Sequence, residues 1–465
     1  MNKKRTRKIN DNITEGILRS SIWKLAMPMM LGAVLHDLFT LVDLFFIGRL
    51  GHIAVAALAI SGVIIAVIMM AAIGISAGTT ALIAHFIGKK DYHSADKVLF
   101  QTVVVSIACS VVMVLIGLFC TTGFLRIFGA GPEIIPLASE YLKISFIWSI
   151  SIFLFISFSQ ALRGSGDAVV PLKVLFFANM LNIVLDPLLI FGIGFFPRME
   201  VAGSAAATVI SQSLGVIILL RHFVFGHSSL HFHRHIFKID FRLIGRMLKI
   251  GFFASIEVMM RQLSLLLLLR LVSHFGIACL AAFGIVVRLR MAVIMLGLGM
   301  GAAASVLIGQ NMGAGYSDRA MKSGKKVLKY YELIIIPIAV LFFVFAPGII
   351  RIFNSHPDVV KIGSNFLRFI AVTMPFLAMP LILGRGITGA GDTIAPAAMT
   401  GVAQLGLRIP VAYLLALVVG LGANGIWLGI NASDICQGLV VIWYFNRGYW
   451  QKRYYKHRSI LEGIA

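Results

Sequence analysis

Apolar stretches of about 20 residues, the length that an α-helix needs to cross a bilayer, recur from one end of the chain to the other. The chain of 465 residues is 59% hydrophobic and only 13% charged. Soluble domains are about 45–50% apolar and about 25% charged. We therefore predict an all-α integral membrane protein with twelve transmembrane helices.

The two halves of the sequence repeat each other. When the chain is shifted by 225 residues, it matches itself without a gap from residue 51 to residue 171. The matched pairs lie in loops as well as in helices: Gly51 and Gly276, Arg126 and Arg351, Asp167 and Asp392, Pro171 and Pro396. Because each half holds six predicted helices, an even number, both halves share one orientation. We expect two six-helix bundles related by an axis along the membrane normal.

The net charge of +22 is sorted by side of the membrane. With the N-terminus inside, the inner segments hold 29 of the 41 Lys and Arg residues, and the outer loops and helix ends hold eight. This excess follows the positive-inside rule and predicts that both termini are cytoplasmic in a bacterial inner membrane. Contact with anionic lipid explains the charge, so we expect no nucleic-acid partner.

These patterns divide the chain into five segments. They are an N-terminal tail (1–21), an N-lobe (22–225), a linker (226–246), a C-lobe (247–446) and a C-terminal tail (447–465), the tails and the linker being cytoplasmic. The glycine-rich turns ending at Asp167 and Asp392 lack the Lys-Ser/Thr of a phosphate loop. The sequence shows no catalytic triad, nucleotide-binding domain or metal motif. We therefore predict that the chain is not an enzyme, binds no cofactor and uses an ion gradient as its energy source.

Asp186 is the most informative charged residue, because it lies within an apolar run. An ionised side chain at bilayer depth costs at least about 2.5–3.5 kcal/mol, so such residues usually serve a function. Asn179, Asn182 and Asp186 are spaced i, i+3, i+7 and would line one face of a helix. Pro187 lacks an N–H group and leaves the carbonyl of Ile183 without its helical donor. This set of oxygens suits a small cation or a proton.

The first predicted helix carries a second polar stripe. His36, Thr40 and Asp43 are spaced i, i+4, i+7, and Asp37 lies on a different face. If Asp43 and Asp186 face each other, their repulsion disfavours double ionisation and favours a shared proton or a bound cation. We predict coupling roles for these two acids and auxiliary roles for His36, Asp37, Thr40 and Asn179; capping or pairing with Arg49 is the alternative for Asp43.

The C-lobe differs from the N-lobe in its intramembrane charges. Leu407-Arg408-Ile409-Pro410 stands where the repeat places Asp186 and Pro187, so the carboxylate is lost and an arginine lies beside its position. Arg408 could pair with Asp434, and Glu257 with Arg261 four residues later. Structural pairing and contact with a substrate both remain open for these residues. The excess of arginine argues against a cavity lined for cations only.

Four motifs follow one another along the chain: Leu41-Val-Asp-Leu-Phe-Phe-Ile-Gly-Arg-Leu-Gly51, Leu162-Arg-Gly-Ser-Gly-Asp167, Asn182-Ile-Val-Leu-Asp-Pro-Leu-Leu-Ile-Phe-Gly192 and Val201-Ala-Gly-Ser-Ala-Ala-Ala-Thr208. Together they resemble the multidrug and toxic compound extrusion (MATE) transporters, in the bacterial branch with an N-lobe aspartate pair. The resemblance extends from the first helix to the last. It implies two bundles around an outward V-shaped cleft, with export driven by inward Na⁺ or H⁺.

The resemblance also implies a site. Asp43, Asn182, Asp186 and Thr208 occupy the positions that bind the coupling ion in such transporters. This is the only metal site we expect, and only if the ion is Na⁺. Pro28 stands where family members bend the first helix, and Glu257 resembles an acid used in the NorM-like branch.

The expected function is therefore secondary active efflux. The chain would export amphipathic organic compounds in exchange for Na⁺ or H⁺ by alternating access, as a monomer in the lipid bilayer. The alternative is a lipid-linked saccharide flippase of the same superfamily, which the C-lobe arginines favour. The sequence does not select the substrate or the coupling ion.

Overall fold

The structure is a computed structural model that describes residues 13–225, 228–232 and 238–462. Helices joined by short connections make up these residues, and none of them forms a strand. Eleven helices are long and apolar enough to cross a membrane, and one bent helix pair brings the number to twelve. Helices suit this environment because they satisfy their backbone hydrogen bonds internally. The predicted all-α class with twelve spans is confirmed.

The N-terminal half is built from helices α1 to α8. They are α1 (Leu18–Gly48), α2 (His52–Gly88), α3 (Tyr92–Phe119), α4 (Thr121–Ile127), α5 (Ile134–Ile147), α6 (Ser149–Gly164), α7 (Val169–Phe191) and α8 (Val201–Val224). α5 and α6 form the bent pair, with an angle of 53° between them. Gly192 follows the last residue of α7, and its φ of 71° is left-handed, which suits glycine.

The C-terminal half contains α9 to α18. They are α9 (Phe241–Val272), α10 (Ile277–Gly313), α11 (Ser317–Val344), α12 (Ala346–Phe353), α13 (Pro357–Met379), α14 (Arg385–Gly389), α15 (Ile394–Gly401), α16 (Arg408–Tyr413), α17 (Ala423–Asn446) and α18 (Tyr449–Glu462). The described residues of this half also form three π-helical turns. Pro380–Gly384 connects α13 to α14, Val402–Leu407 connects α15 to α16, and Leu414–Val418 extends α16. Under the 225-residue shift, the first two of these turns correspond to residues 155–159 of α6 and 177–182 of α7, which form regular α-helix.

The chain packs into two compact units whose boundaries differ from those of the predicted lobes. The first unit comprises Leu31–Phe252 and residues 13–17, and the second comprises Leu18–Met30 and the described chain from Phe253 onward. The start of α1 thus packs with the C-terminal half, and the start of α9 packs with the N-terminal half. Under the 225-residue shift, Leu18–Met30 corresponds to residues 243–255, so this exchange follows the internal repeat.

Side-chain contacts show the exchange within each unit. In the first unit, the hydroxyl of Thr79 in α2 donates to Met247 Sδ of α9 at 3.6 Å. In the second unit, the rings of Trp23 in α1 and Tyr330 in α11 have centroids 5.7 Å apart. Pro28 lies inside α1, two residues before the position at which this helix passes from one unit to the other.

Candidate functional site

Three polar side chains of the first unit come together between α1 and α7. Asp43 of α1 is 7% exposed, and Asn182 and Asp186 of α7 are fully buried. Their spacing of four residues puts Asn182 and Asp186 on one face of α7, where Asn182 Nδ2 donates to Asp186 Oδ1 at 3.4 Å. The carboxyl group of Asp43 interacts with both of these side chains. The structure therefore brings together three of the four residues that the resemblance implied.

Each of these three side chains keeps one buried oxygen without a hydrogen-bond donor. They are Asp43 Oδ1, Asn182 Oδ1 and Asp186 Oδ2. Buried polar atoms normally have a partner, because an unsatisfied one costs about 1–3 kcal/mol. Ionised carboxylates only accept hydrogen bonds, so a proton or a small cation would supply what these oxygens lack. The donor set, two acidic oxygens and one amide oxygen, fits Na⁺ or H⁺.

Two other predicted site residues, one from the stripe and one from the resemblance, have different surroundings. Asn179 is buried, and its Nδ2 donates to the carbonyl of Leu35 at 2.9 Å. It therefore ties α7 to α1 two turns before Asp43. Thr208 of α8 is half-buried, and within the described chain its hydroxyl makes no hydrogen bond to the Asp43 cluster.

The auxiliary residues of α1 are less buried than the acid pair. His36 and Thr40 are exposed and Asp37 is half-buried. The charges that act on His36 are those of Arg163 and Asp37, neither of which belongs to the cluster. Asp43 interacts with Asp186, and in the described part of the chain no hydrogen bond joins His36 or Thr40 to that acid.

Tyr141 of α5 is a neighbour that sequence reasoning missed. The charges of both Asp43 and Asp186 act on its phenol group. Its ring packs against Ile47, Ala54, Ile190 and Val201, a buried apolar cluster beside the acids. Nothing in the sequence distinguishes Tyr141 from the other tyrosines, because its place depends on how α5 packs.

In the second unit, Asp434 of α17 is 1% exposed and contacts two arginines. Arg408 Nη2 donates to Asp434 Oδ1 at 2.6 Å, as the predicted charge pair requires, and Arg290 Nη2 donates to Oδ2 at 2.6 Å. Arg261 Nη2 donates to Glu257 Oε1 at 2.7 Å. Arg290 was not predicted as a partner, because α10 is distant from α17 in the sequence.

The family model that matches this chain is MatE, and it matches twice, over residues 28–188 and 254–414. The chain belongs to the MatE family. The two matches begin in corresponding parts of the two halves, which agrees with the internal repeat. Family and relatives are membrane transporters, so the prediction that the chain is not an enzyme is confirmed.

Similar proteins cover nearly the whole chain. The probable multidrug resistance protein YoeA of Bacillus subtilis is 27% identical, with 95% of this chain and 97% of YoeA aligned. The probable multidrug resistance protein NorM of Thermotoga maritima is 27% identical, with 94% of each chain aligned. A protein of Shewanella oneidensis that is named as an FAD transporter is 25% identical over 89% of this chain and 91% of its own.

Solved structures share the fold. A MATE crystal structure in the bent conformation has a TM-score of 0.90 and 23% identity, covering 97% of this chain and 100% of its own. A transporter from Pyrococcus furiosus, described as having a binding pocket of reverse polarity, has a TM-score of 0.87 and 23% identity over 95% of this chain and 98% of its own.

Proposed function

We propose that this MatE-family chain exports amphipathic organic compounds from a bacterial cell in exchange for Na⁺ or H⁺. Asp43, Asn182 and Asp186 bind the coupling ion. The observation that carries this proposal is the group of three buried oxygens without donors. The names of the multidrug resistance relatives support efflux as the direction of transport.

The geometry supports a simple mechanism. The two carboxylates repel each other when both are ionised, and a proton or Na⁺ between them relieves that repulsion. Asp43 lies on α1 and Asp186 on α7, so ion binding draws these two helices together. A ligand shifts a conformational equilibrium only by its different affinity for the two states. Ion binding and substrate binding that favour opposite states therefore produce exchange.

Pro28 is the place where α1 can bend in response. Proline removes one backbone hydrogen bond from a helix interior and permits a kink. It lies close to the Met30–Leu31 boundary, where α1 leaves the second unit and enters the first. A change at Asp43 thus reaches both units along a single helix.

We place both termini in the cytoplasm and propose that a monomer is the working form.

The test is transport by purified protein in proteoliposomes with a Na⁺ gradient or a pH gradient imposed separately. Cationic, neutral and anionic dyes serve as substrates. We expect one gradient to drive uptake in the wild type and Asp186→Asn to abolish gradient-driven uptake. Glu133→Gln, which removes an exposed carboxylate at the start of α5, is the matched control. Gradient-driven transport by Asp186→Asn at the wild-type rate would contradict the coupling role.

A lipid-linked saccharide flippase is the second candidate, because arginines of the second unit, among them Arg261, Arg290 and Arg408, lie within its spanning helices. A flippase of this kind moves a phosphate-bearing lipid. Translocation of a fluorescent lipid-linked saccharide in the same vesicles, without movement of the dyes, would favour this function over efflux.

A further inference from the structure

Six charged side chains of the second unit belong to one connected group, which we call the arginine cluster. It consists of Glu257 and Arg261 of α9, Arg290 of α10, Arg385 of α14, Arg408 of α16 and Asp434 of α17. Asp434 and Arg408 lie near the middle of their spanning helices. Arg385 lies near the end of its spanning helix that the positive-inside rule places at the cytoplasmic face.

The two acids of the cluster are already paired. Both carboxylate oxygens of Asp434 accept a hydrogen bond, one from Arg408 and one from Arg290. Glu257 accepts from Arg261. Two carboxylates therefore face four guanidinium groups, and the cluster carries two positive charges in excess.

Arg385 has more unpaired donors than any other arginine of the cluster. Its guanidinium forms neither a hydrogen bond nor an ion pair with any residue that the structure describes, although the charges of Glu257 and Arg261 act on it. The charge of Arg261 also acts on Arg408. The group of Glu257, Arg261 and Arg385 is therefore electrostatically connected to the group of Arg290, Arg408 and Asp434.

Other acids of the second unit do not supply the missing charge. Both carboxylate oxygens of Asp392 are used outside the cluster, because one accepts a hydrogen bond from Arg453 and the other from Tyr444. The carboxyl group of Glu332 in α11 has no charge interaction with any arginine of the cluster. Within the described chain, the excess positive charge is not neutralised by these groups.

The backbone deviates from the regular helix at the arginines. Arg385 directly follows the π-helical turn Pro380–Gly384, and Arg408 directly follows the turn Val402–Leu407. An extra residue in a turn rotates the side chains that follow it, and such turns occur frequently at functional sites. The N-lobe counterparts are regular α-helix and lack the arginines. The two features that distinguish the C-lobe therefore coincide.

We propose that the arginine cluster binds the anionic group, a phosphate or a carboxylate, of an amphipathic substrate. Arg385, Arg261 and Arg290 donate to that group, and Asp434 and Glu257 hold guanidinium groups in position. Ser433 helps to hold Arg408, whose Nε donates to Ser433 Oγ at 2.8 Å. Each guanidinium has five N–H donors in a plane that matches such anions, and Arg290 and Arg261 each use one nitrogen on their carboxylate. Unpaired intramembrane charges face a polar cavity or a ligand, because lipid does not solvate them. This inference rests on the proposed transport function and names its substrate class.

A thiol reporter tests the field of the cluster. Leu265 lies one turn after Arg261 on α9 and is half-buried. Leu265→Cys is introduced after the four native cysteines, Cys109, Cys120, Cys279 and Cys436, have been replaced by alanine. Labelling rates are measured with an anionic and a cationic methanethiosulfonate, in vesicles of phosphatidylcholine without any ion gradient.

We expect the anionic reagent to be favoured by at least about tenfold, relative to the same ratio for free cysteine, as positive clefts concentrate anions. Arg385→Gln should reduce this preference severalfold, and it leaves no acid unpaired. Arg351→Gln, the same charge change at an exposed residue of α12, is the control and should leave the ratio unchanged. Equal rates for both reagents, labelling by neither, or a ratio that Arg385→Gln does not alter would overturn the proposal.

Ligand protection then tests binding and its source. 1-Naphthyl phosphate should slow labelling of the reporter more than 1-naphthol, which has the same rings without the charge. Slowing by added phosphatidic acid in the vesicles, but not by 1-naphthyl phosphate, identifies a lipid headgroup as the anion. Equal effects of phosphate and alcohol, with none from phosphatidic acid, contradict the proposal. Since no ion gradient is used, a failure of ion coupling leaves these results unaffected.

Discussion

Removing Asp434 should destabilise the second unit strongly, because this carboxylate joins two arginines. It is 1% exposed, and the side chains of Arg408 and Arg290 are 9% and 13% exposed. Breaking a buried charge pair by removing one partner costs about 3–5 kcal/mol. We expect Asp434→Leu to fall in or above this range, because two guanidinium groups lose their acceptor.

The contacts also predict which compensating change restores stability. Arg408→Leu with Asp434→Leu removes a pair but leaves Arg290 without its charged acceptor, at a cost of about 1.5–3 kcal/mol. Only the triple change, with Arg290→Leu added, removes every member together. Buried ionic groups replaced jointly by apolar residues are often neutral or stabilising, so the triple variant should approach the wild type.

Thermal unfolding in detergent measures these differences. Trp427 is fully buried against Phe366, with ring centroids 3.7 Å apart, and its fluorescence reports unfolding of the second unit. At about 2–4 °C per kcal/mol, the midpoint should fall by about 6–20 °C in the single variant and by about 3–12 °C in the double variant. If the double variant is as stable as the wild type and the triple variant is not better, Arg290 contributes nothing and the reasoning is wrong.

Three further changes test the ion site and its support. Asp186→Asn should leave thermal stability equal or higher, because it removes a buried charge, while gradient-driven uptake is lost; a large loss of stability would instead indicate a structural role. Pro28→Ala should slow transport and spare binding of the coupling ion, measured by calorimetry, and normal transport by this variant would exclude the hinge. Gly203→Val should lower stability and weaken ion binding, because a Cβ atom there would lie 2.6 Å from the Leu189 backbone carbon and push α8 away from α7; unchanged ion binding would show that this packing does not support Asp186.

The sequence predicts the helices and the polar stripe of α7, because both depend on local patterns. Apolar runs set the spans, and the i, i+4 spacing places Asn182 and Asp186 on one face. Spacing alone does not place Asp43 beside them, because His36 and Thr40 share its stripe; the family resemblance implies that position. Stripes show which residues share a face, but not which turn of the helix meets a neighbour.

Contacts between distant helices could not be predicted in the same way. Tyr141 approaches the acids because of the packing of α5, and Arg290 reaches Asp434 across a sequence separation of 144 residues. The exchanged starts of α1 and α9 have the same apolar pattern whichever unit they join. Periodicity therefore gives no information about that choice.

The exchanged helix segments have a consequence for biosynthesis. Leu18–Met30 is translated well before the rest of its unit, which begins at Phe253. At about 5–20 residues per second, the ribosome needs about 10–45 s to reach that residue. The first unit is also incomplete until the start of α9 has been inserted. Neither unit can finish folding before the other has begun, so two fragments separated within residues 226–246 must be produced together for either unit to form.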